Sequence, residues 1–316
     1  MYRQSYIYRF LKKCEKPEGN MIWEFFNVAF SFFMIRIGLL LYYCYRYKYK
    51  NAELCILPST DAGDLLFLRY SNAYILDLYG QDAVFIFDNR NTRTIDTLKF
   101  RNVCLVSQFQ IVPLAKAFYV YANSKMKHMH NVYNWCFFDM KNVTHLYKKD
   151  IPLYVSDRKM VDGLFSANNL EKGRTVIIAP YEQGITAVGG KCIPYEVWKK
   201  LIIELKKNGY NVCVNCKGND VEKNIEGGIQ VFPKFEDLTT FVEQAGYMVS
   251  IRSGFCDYTM NVHVKKVILY PTVKYFEKWK MSNFSDDGQT LEIVYNDIEG
   301  KWADVIDEII RYFNKN

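Results

Sequence analysis

The sequence predicts an α/β protein of two parallel-sheet domains in tandem, preceded by a hydrophobic helix. Three observations predict it. The 316 residues are enough for two domains, and half of them are hydrophobic. Short apolar runs alternate with amphipathic stretches twice along the chain, which is the pattern of βαβ units. Ahead of the first alternation lies Ile22–Cys44, IWEFFNVAFSFFMIRIGLLLYYC, nearly long enough to cross a bilayer.

That apolar segment comes first in the chain. Glu24 stands near its start and Arg36 deep inside it. A charge at mid-bilayer is costly unless it snorkels or finds a partner. Arg9, Lys12 and Lys13 precede the segment, and Arg46, Lys48 and Lys50 follow it, so neither flank dictates an orientation. No small-residue cleavage site follows, as a secretory signal would require. Three placements fit: a helix lying in the membrane interface, a true span, and a helix packed in the first domain's core. The interfacial one explains most, because Tyr42, Tyr43, Tyr45, Tyr47 and Tyr49 would sit at headgroup level.

The first domain is expected over residues 51–160. Glu53–Pro58 reads as a strand, Ser59–Gly63 as a loop, and Asp64 to about Tyr79 as a helix. Ala83–Asp88 and Asn102–Ser107 read as strands, Gln108–Ala122 as a helix interrupted near Pro113, and Asn134–Met140 as a candidate fourth strand. The polar stretch Ser156–Gly173 reads as the junction. Alternation restarts over 174–316: strand Arg174–Ala179, helix Pro194–Asn208, strand Asn211–Asn215, helix Phe235–Ala245. Parallel sheets bind ligands at the carboxyl ends of their strands, and two in tandem enclose a cleft.

The charge balance narrows the partners. A formal charge of +7 suits a phosphate-bearing partner: a nucleotide, an anionic bilayer or a nucleic acid. No zinc-finger spacing, RNP-like motif or dense Lys/Arg block is present, which argues against nucleic acid. Nine cysteines cannot all pair, and Cys55, Cys104 and Cys213 fall in apolar strand patterns, as reduced cysteines do in a cytosolic protein. Cys213-Val-Asn-Cys216 has redox or zinc spacing but no second pair, so it reads as structural. His128, His130 and His145 lie in an aromatic stretch without the carboxylates of a metal site, and no metal is expected.

Three loops carry residues suited to chemistry. The last is in Tyr247–Pro271, YMVSIRSGFCDYTMNVHVKKVILYP. A strand (Tyr247–Ile251) meets the turn Arg252-Ser253-Gly254, then a helix (Phe255–Val264) and a strand (Lys266–Leu269). Unpaired first-turn N–H groups and the helix dipole favour an anion there, and Arg252 adds forked donors suited to phosphate. An ordinary turn with Ser253 as N-cap fits the same residues. The second loop, Tyr181-Glu182-Gln183-Gly184 through Gly189-Gly190-Lys191, places glycines and a lysine before a helix, which suits phosphate, though a surface loop fits equally. The first, Asp61-Ala62-Gly63-Asp64, offers Asp64 either as a carboxylate complementing a helix dipole or as a base taking a proton from a hydroxyl.

Taken together, these motifs resemble the heptosyltransferase-like branch of the GT-B glycosyltransferases. Leu54–Pro58, Gly63-Asp64 and Leu65–Tyr79 are similar to its N-terminal strand, Gly-Asp pair and helix. VIIAPYEQG with IPYEVWKKLIIELKKNGYNVCVN, and VSIRSGFCDYTMNV followed by VILYP, are similar to its C-terminal half. The resemblance covers roughly Glu53 to Pro271. It implies two Rossmann-like domains facing a cleft and metal-independent transfer of a sugar, with inversion favoured. A nucleotide-sugar would be the donor substrate, with no bound cofactor, and a glycan or lipid-linked glycan the acceptor. Asp64 would be the base, with Asp61 next in line. Ser253, Gly254, Arg252 and Lys191, with Tyr181, Glu182 and Gly184, would meet the donor's diphosphate and nucleotide. The chain departs from the family in having Arg252 where an aspartate is usual and Asp257 near the usual histidine, which puts a heptose donor in doubt. The hydrophobic segment would hold the protein peripherally on the cytoplasmic face of a membrane. Two other readings stay open: a nucleotide-sugar epimerase of similar architecture, using Glu182 and Asp257, and a non-catalytic membrane-associated binding protein.

Overall fold

A computed structural model describes residues 21–58, 62–132, 158–180, 191–216, 225–284, 289–295 and 301–315, without the side chains of 21–26 and 62. The chain divides into two compact units, Met1–Ile151 and Pro152–Asn316.

The described part of the first unit opens with helix α1, Met21–Lys48. Strand β1 (Leu54–Ile56) and helices α2 (Ala62–Tyr70) and α3 (Asn72–Tyr79) follow. The stretch from Asp64 to Tyr79 is thus two helices, parted at the buried Ser71. Gly80 ends α3 with φ of +100°, a backbone conformation that favours glycine. Next come β2 (Val84–Asp88), α4 (Thr92–Leu98), β3 (Val103–Val106), α5 (Gln108–Tyr121) and β4 (Met129–Asn131). Helix α4 was not foreseen, because in seven mostly polar residues only Ile95 and Leu98 are buried. Helix α5 opens with a Ser107–Gln110 capping box and runs through Pro113 without a break. The fourth strand is Met129–Asn131; the stretch Asn134–Met140 lies outside the described residues.

The sheet is parallel, in the order β3-β2-β1-β4. One face meets α1 and α5: Leu39, Tyr42, Ile111, Leu114 and Ala117 share a core with Leu54, Ile56, Val84 and Ile86. The helices approach closely at Gly38, where a Cβ would collide with the Pro113 carbonyl and stand 2.8 Å from the Ala117 Cβ. Arg46 donates to the carbonyls of Ala52 and Lys50 and fixes the turn into β1. The second half of the hydrophobic segment is therefore part of the first unit's core.

The first described element of the second unit is α6, Arg158–Ala167, inside the polar stretch expected to be a junction. Its buried Val161 and Phe165 are four residues apart, one helical turn, and the Phe165 ring packs on Phe241 at 5.2 Å. Then follow β5 (Thr175–Ala179), α7 (Tyr195–Lys207), β6 (Asn211–Asn215), β7 (Ile229–Val231) and α8 (Leu238–Ala245). The unit closes with β8 (Gly246–Ile251), α9 (Gly254–Thr259), β9 (Lys265–Tyr270), α10 (Val273–Trp279), β10 (Thr290–Val294) and α11 (Trp302–Asn314). The six strands are parallel, in the order β10-β9-β8-β5-β6-β7. On one face Trp198, Leu201, Ile202 and Leu205 of α7 meet Val305, Ile306, Ile309 and Phe313 of α11 over the central strands.

Cys55, Cys104, Cys213, Cys216 and Cys256 are buried free thiols, while Cys44 and Cys192 are exposed. Burial pushes the Cys55 and Cys213 thiols up to about 12, as expected of structural cysteines.

Candidate functional site

In the second sheet the connections from β5 run outward through β6 and β7, whereas β8, β9 and β10 lie on the other side of β5. The order therefore reverses between β5 and β8. The carboxyl ends of strands flanking such a reversal splay their loops apart and leave a crevice, the usual ligand position in an open parallel sheet. Ala179 pairs with Ser250 at that end. The loop after Pro180 and the turn Arg252-Ser253-Gly254 thus leave the sheet side by side. Tyr181, Glu182 and Gly184 belong to the first of these and lie outside the described residues. Lys191 ends that loop and is exposed, two positions before the buried Ile193.

The turn is built from the inside. Ser253 is extended (φ −155°, ψ 177°) and occupies the N-cap of α9, but its hydroxyl makes no capping bond. Ser253 is half-buried and Gly254 exposed. The first N–H groups of α9 have no intrahelical acceptor, as at any helix start. Arg252 departs from the expected outward-facing phosphate ligand: it is only 2% exposed. Its Nη2 lies 2.5 Å from Asp257 Oδ1, its Nη1 donates to Ser253 O at 2.9 Å, and its Nε donates to Trp279 O at 2.9 Å. Burial alone would lower its pKa, but Asp257 outweighs this and holds the guanidinium above its ordinary range. Asp257, also buried at 4%, is likewise no open cleft residue. The pair locks the turn to the first turn of α9 and to the end of α10.

Lys266 went unnoticed in the sequence. It is 1% exposed, and its Nζ donates to Met260 O at 2.8 Å at the carboxyl end of α9. A cation there satisfies orphan carbonyls and complements the helix dipole. Its signal was a lysine opening an apolar strand, a residue rarely buried without a partner.

The first sheet reverses between β1 and β4. The carboxyl end of β1 leads through Leu57 and Pro58 toward α2; Asp61 lies outside the described residues. Gly63 is half-buried, and Asp64, in the first turn of α2, is 6% exposed.

A second polar cluster sits at the amino end of the same sheet. Glu53 Oε1 is 2.8 Å from His128 Nδ1, and Glu53 Oε2 is 2.6 Å from His130 Nε2. The His130 ring stacks on Tyr79 at 3.9 Å. The carboxylate that these histidines lack in the local sequence arrives from the neighbouring strand, 75 residues from His128. Burial alone would raise the Glu53 pKa, but the two histidine bonds outweigh it and hold it below the ordinary range. Among the described residues no His, Cys, Asp and Glu group is arranged to hold a metal ion. A pocket of about 350 Å³, lined by residues including Tyr49, Lys50, Asp82 and Asn102, opens at this amino end, away from the carboxyl ends where parallel sheets bind ligands.

No family model and no curated protein sequence matches the chain. Solved structures do. A glycosyl transferase family 9 protein from Veillonella parvula superposes with a TM-score of 0.56 at 11% identity, over 83% of this chain and 97% of that one. The E. coli heptosyltransferase WaaC with ADP gives 0.48 at 10% identity, over 82% and 98%. The iron-containing dodecameric glycosyltransferase TibC from E. coli gives 0.43 at 13%, over 70% and 58%. The first of these shows the fold, the expected α/β architecture with parallel sheets, shared with a glycosyl transferase family 9 protein.

Proposed function

We propose that this chain is a glycosyltransferase that moves a sugar from a nucleotide-sugar donor to a glycan or lipid-linked glycan during cell-surface polysaccharide synthesis. The observation that carries the reading is the strand-order reversal between β5 and β8, which opens onto the Ser253-Gly254 turn in a chain of family 9 glycosyltransferase fold. The donor diphosphate lies against the N–H groups after Ser253, and Lys191, Tyr181, Glu182 and Gly184 are its further proposed contacts on the grounds of the sequence alone. Arg252 acts through its buried pair with Asp257, as a positioning residue that fixes the turn rather than as a phosphate ligand.

The reaction follows from these parts. The acceptor hydroxyl oxygen attacks the anomeric carbon, and the bond from that carbon to the diphosphate oxygen breaks. The nucleoside diphosphate leaves with the bonding electrons, and preorganised N–H groups stabilise its growing charge. Asp64 takes the hydroxyl proton, which a carboxylate does effectively when positioned at the nucleophile. A single displacement of this kind, with no covalent intermediate on the protein, gives inversion, and no step calls for a metal ion.

A thermal-shift screen of nucleotide sugars and nucleoside diphosphates tests the reading, because a ligand bound to the native state raises its melting temperature. One donor is expected to do so and to release its nucleoside diphosphate only with an acceptor glycan present, with turnover undiminished by EDTA. The absence of a shift from every nucleotide would sink the proposal. Asp64→Asn is expected to keep the donor-induced shift while losing about 100- to 10,000-fold in turnover. Retention of more than about a tenth would move the base elsewhere, with Asp61 next.

A further inference from the structure

Helix α1 is apolar on two opposite faces. Gly38, Leu39 and Tyr42 point inward, and Tyr45 and Tyr49 pack against the same core. Phe33, Arg36, Leu40, Tyr43 and Tyr47 recur at three- and four-residue steps on the opposite face, and all are exposed, Tyr47 to 76%. A helix apolar all round is either buried in protein or immersed in lipid. Helix α5 repeats the pattern: Ile111, Leu114 and Ala117 are inward, whereas Phe109 is 85% exposed and Val112, Tyr119 and Val120 are exposed with it. Both helices pack on the same face of the sheet, so both outer stripes look away from the same core. Lys116 of α5 meets the first half of α1, with its Nζ 3.5 Å from Ser31 Oγ and 5.9 Å from the ring centre of Phe30, a phenylalanine 56% exposed and one turn before Phe33. Exposed aromatic side chains in this number on two packed helices mark an interaction site rather than ordinary surface.

Charge identifies what covers it. No aspartate or glutamate occurs from Phe25 to Ala52 or from Leu98 to Phe138, while Arg36, Lys48, Lys50, Lys116 and Lys125 do. Lys48 and Lys50 lie over the rings of Tyr49 and Tyr47, each 5.0 Å from the centre, and Lys125 over Tyr121 at 5.3 Å. Phenylalanines, tyrosines and lysines exposed together with no acidic residue among them are the composition that a membrane interface selects: apolar side chains below the headgroups, amphipathic rings among them, ammonium groups against phosphates. Arg36, within the stripe, reaches the phosphates by extending along the surface, which a helix lying flat permits and a spanning one does not.

We propose that α1 and α5 together form a platform that docks on an anionic phospholipid bilayer, with Phe109 and Tyr119 of α5 inserting as well as the exposed aromatic side chains of α1. The platform extends the interfacial reading of Ile22–Cys44 to a second helix, and it stands apart from the transferase reading because it needs neither donor nor acceptor.

Flotation of the full chain with vesicles of phosphatidylcholine, or of phosphatidylcholine with phosphatidylglycerol, tests it. The wild type is expected to float, more strongly with the anionic vesicles. The double variant Phe109→Ser, Tyr119→Ser should bind about tenfold or more weakly, the scale set by withdrawing two apolar side chains from a bilayer. Its melting temperature should be unchanged, because both side chains are already in solvent. Lys48→Gln with Lys50→Gln should lose the preference for anionic vesicles. Equal binding of wild type and the Phe109/Tyr119 variant would overturn the two-helix platform. A wild type that ignores vesicles but sediments as a dimer, which the same variant splits, would overturn it in favour of a contact between copies of the chain.

Discussion

Two helix pairs cover one face of each sheet, α1 with α5 and α7 with α11, and their inner surfaces obey the same rule while their outer surfaces do not. Inside, each pair presents branched and aromatic side chains at helical spacing. Outside, α7 shows Glu196, Lys200 and Lys206, and α11 shows Asp304, Asp307, Glu308 and Arg311. The outer faces of α1 and α5 show phenylalanine, leucine and tyrosine instead. Packing on a sheet dictates only one face of a helix, and the other reports the medium. The second unit is built to be wetted on this side. The described outer faces of α1 and α5 carry aromatic side chains in place of mixed charge, and the charges they do carry are cationic. In the second unit charge also goes inward, but it is paired there.

That last point gives the largest expected effect. Arg252→Met leaves Asp257 buried without its partner, and removing one member of a buried ion pair costs about 3–5 kcal/mol. Urea melts should show it, and Arg252→Met with Asp257→Leu should recover much of the loss. If the single variant is as stable as the wild type, the pair does not hold the turn. Gly38→Val attacks the first unit at the crossing of α1 and α5. Its side chain meets the Pro113 backbone, which cannot yield as a side-chain end can, and overpacking of this kind costs about 1–3 kcal/mol. A chain lacking everything before Asn51 would strip Leu39 and Tyr42 from the same core, so it should be destabilised rather than remain a soluble first domain.

A smaller effect is tied to pH. The Glu53 carboxyl titrates below its ordinary range in the folded protein because His128 and His130 hold its charged form, against the effect of burial. A lowered folded-state pKa means that the unfolded chain takes up the proton first. The contribution of Glu53 is thus fully present above the ordinary carboxylate range and is lost as pH falls through the folded value. Melts from about pH 6 to pH 3 should show wild type and Glu53→Gln converging in stability as acid is added. A constant gap would assign the contact no part in acid sensitivity. The smallest effect contrasts the two outer faces directly: Leu40→Ser and Asp307→Leu should each change stability by less than about 0.5 kcal/mol, since both sites are exposed. A larger loss in Leu40→Ser would place that residue in the core and weaken the platform.

The architecture was legible where the chain repeats itself. Strands β1, β2, β3, β5, β6, β8 and β9 fall on apolar runs bounded by turn residues, and α7 on a clean amphipathic period. The elements missed are α4 with two buried residues, β7 of three residues at a sheet edge, α6 inside a polar stretch whose Val161 and Phe165 were the one clue, and α10, β10 and α11 beyond Pro271. At the site, the strand–turn–helix around Ser253 could be read from residue types. The burial of Arg252 could not, because its partners Asp257 and Trp279 are set by how α9 and α10 fold back. The Glu53–His128–His130 contact was hidden for the same reason. It depends on β1 lying beside β4, a pairing that local sequence does not encode.

The cysteines carry a practical consequence. Most described thiols are buried, but Cys44 lies exposed on α1 and Cys192 lies exposed in the second unit before α7. Maleimide chemistry therefore has one accessible anchor in each unit, once Cys14 and Cys136 are replaced by serine. A polarity-sensitive dye at Cys44 would report lipid arriving at the aromatic stripe, and the same dye at Cys192 would serve as its built-in reference. A donor–acceptor pair across the two would test whether adding a nucleotide changes the distance between them.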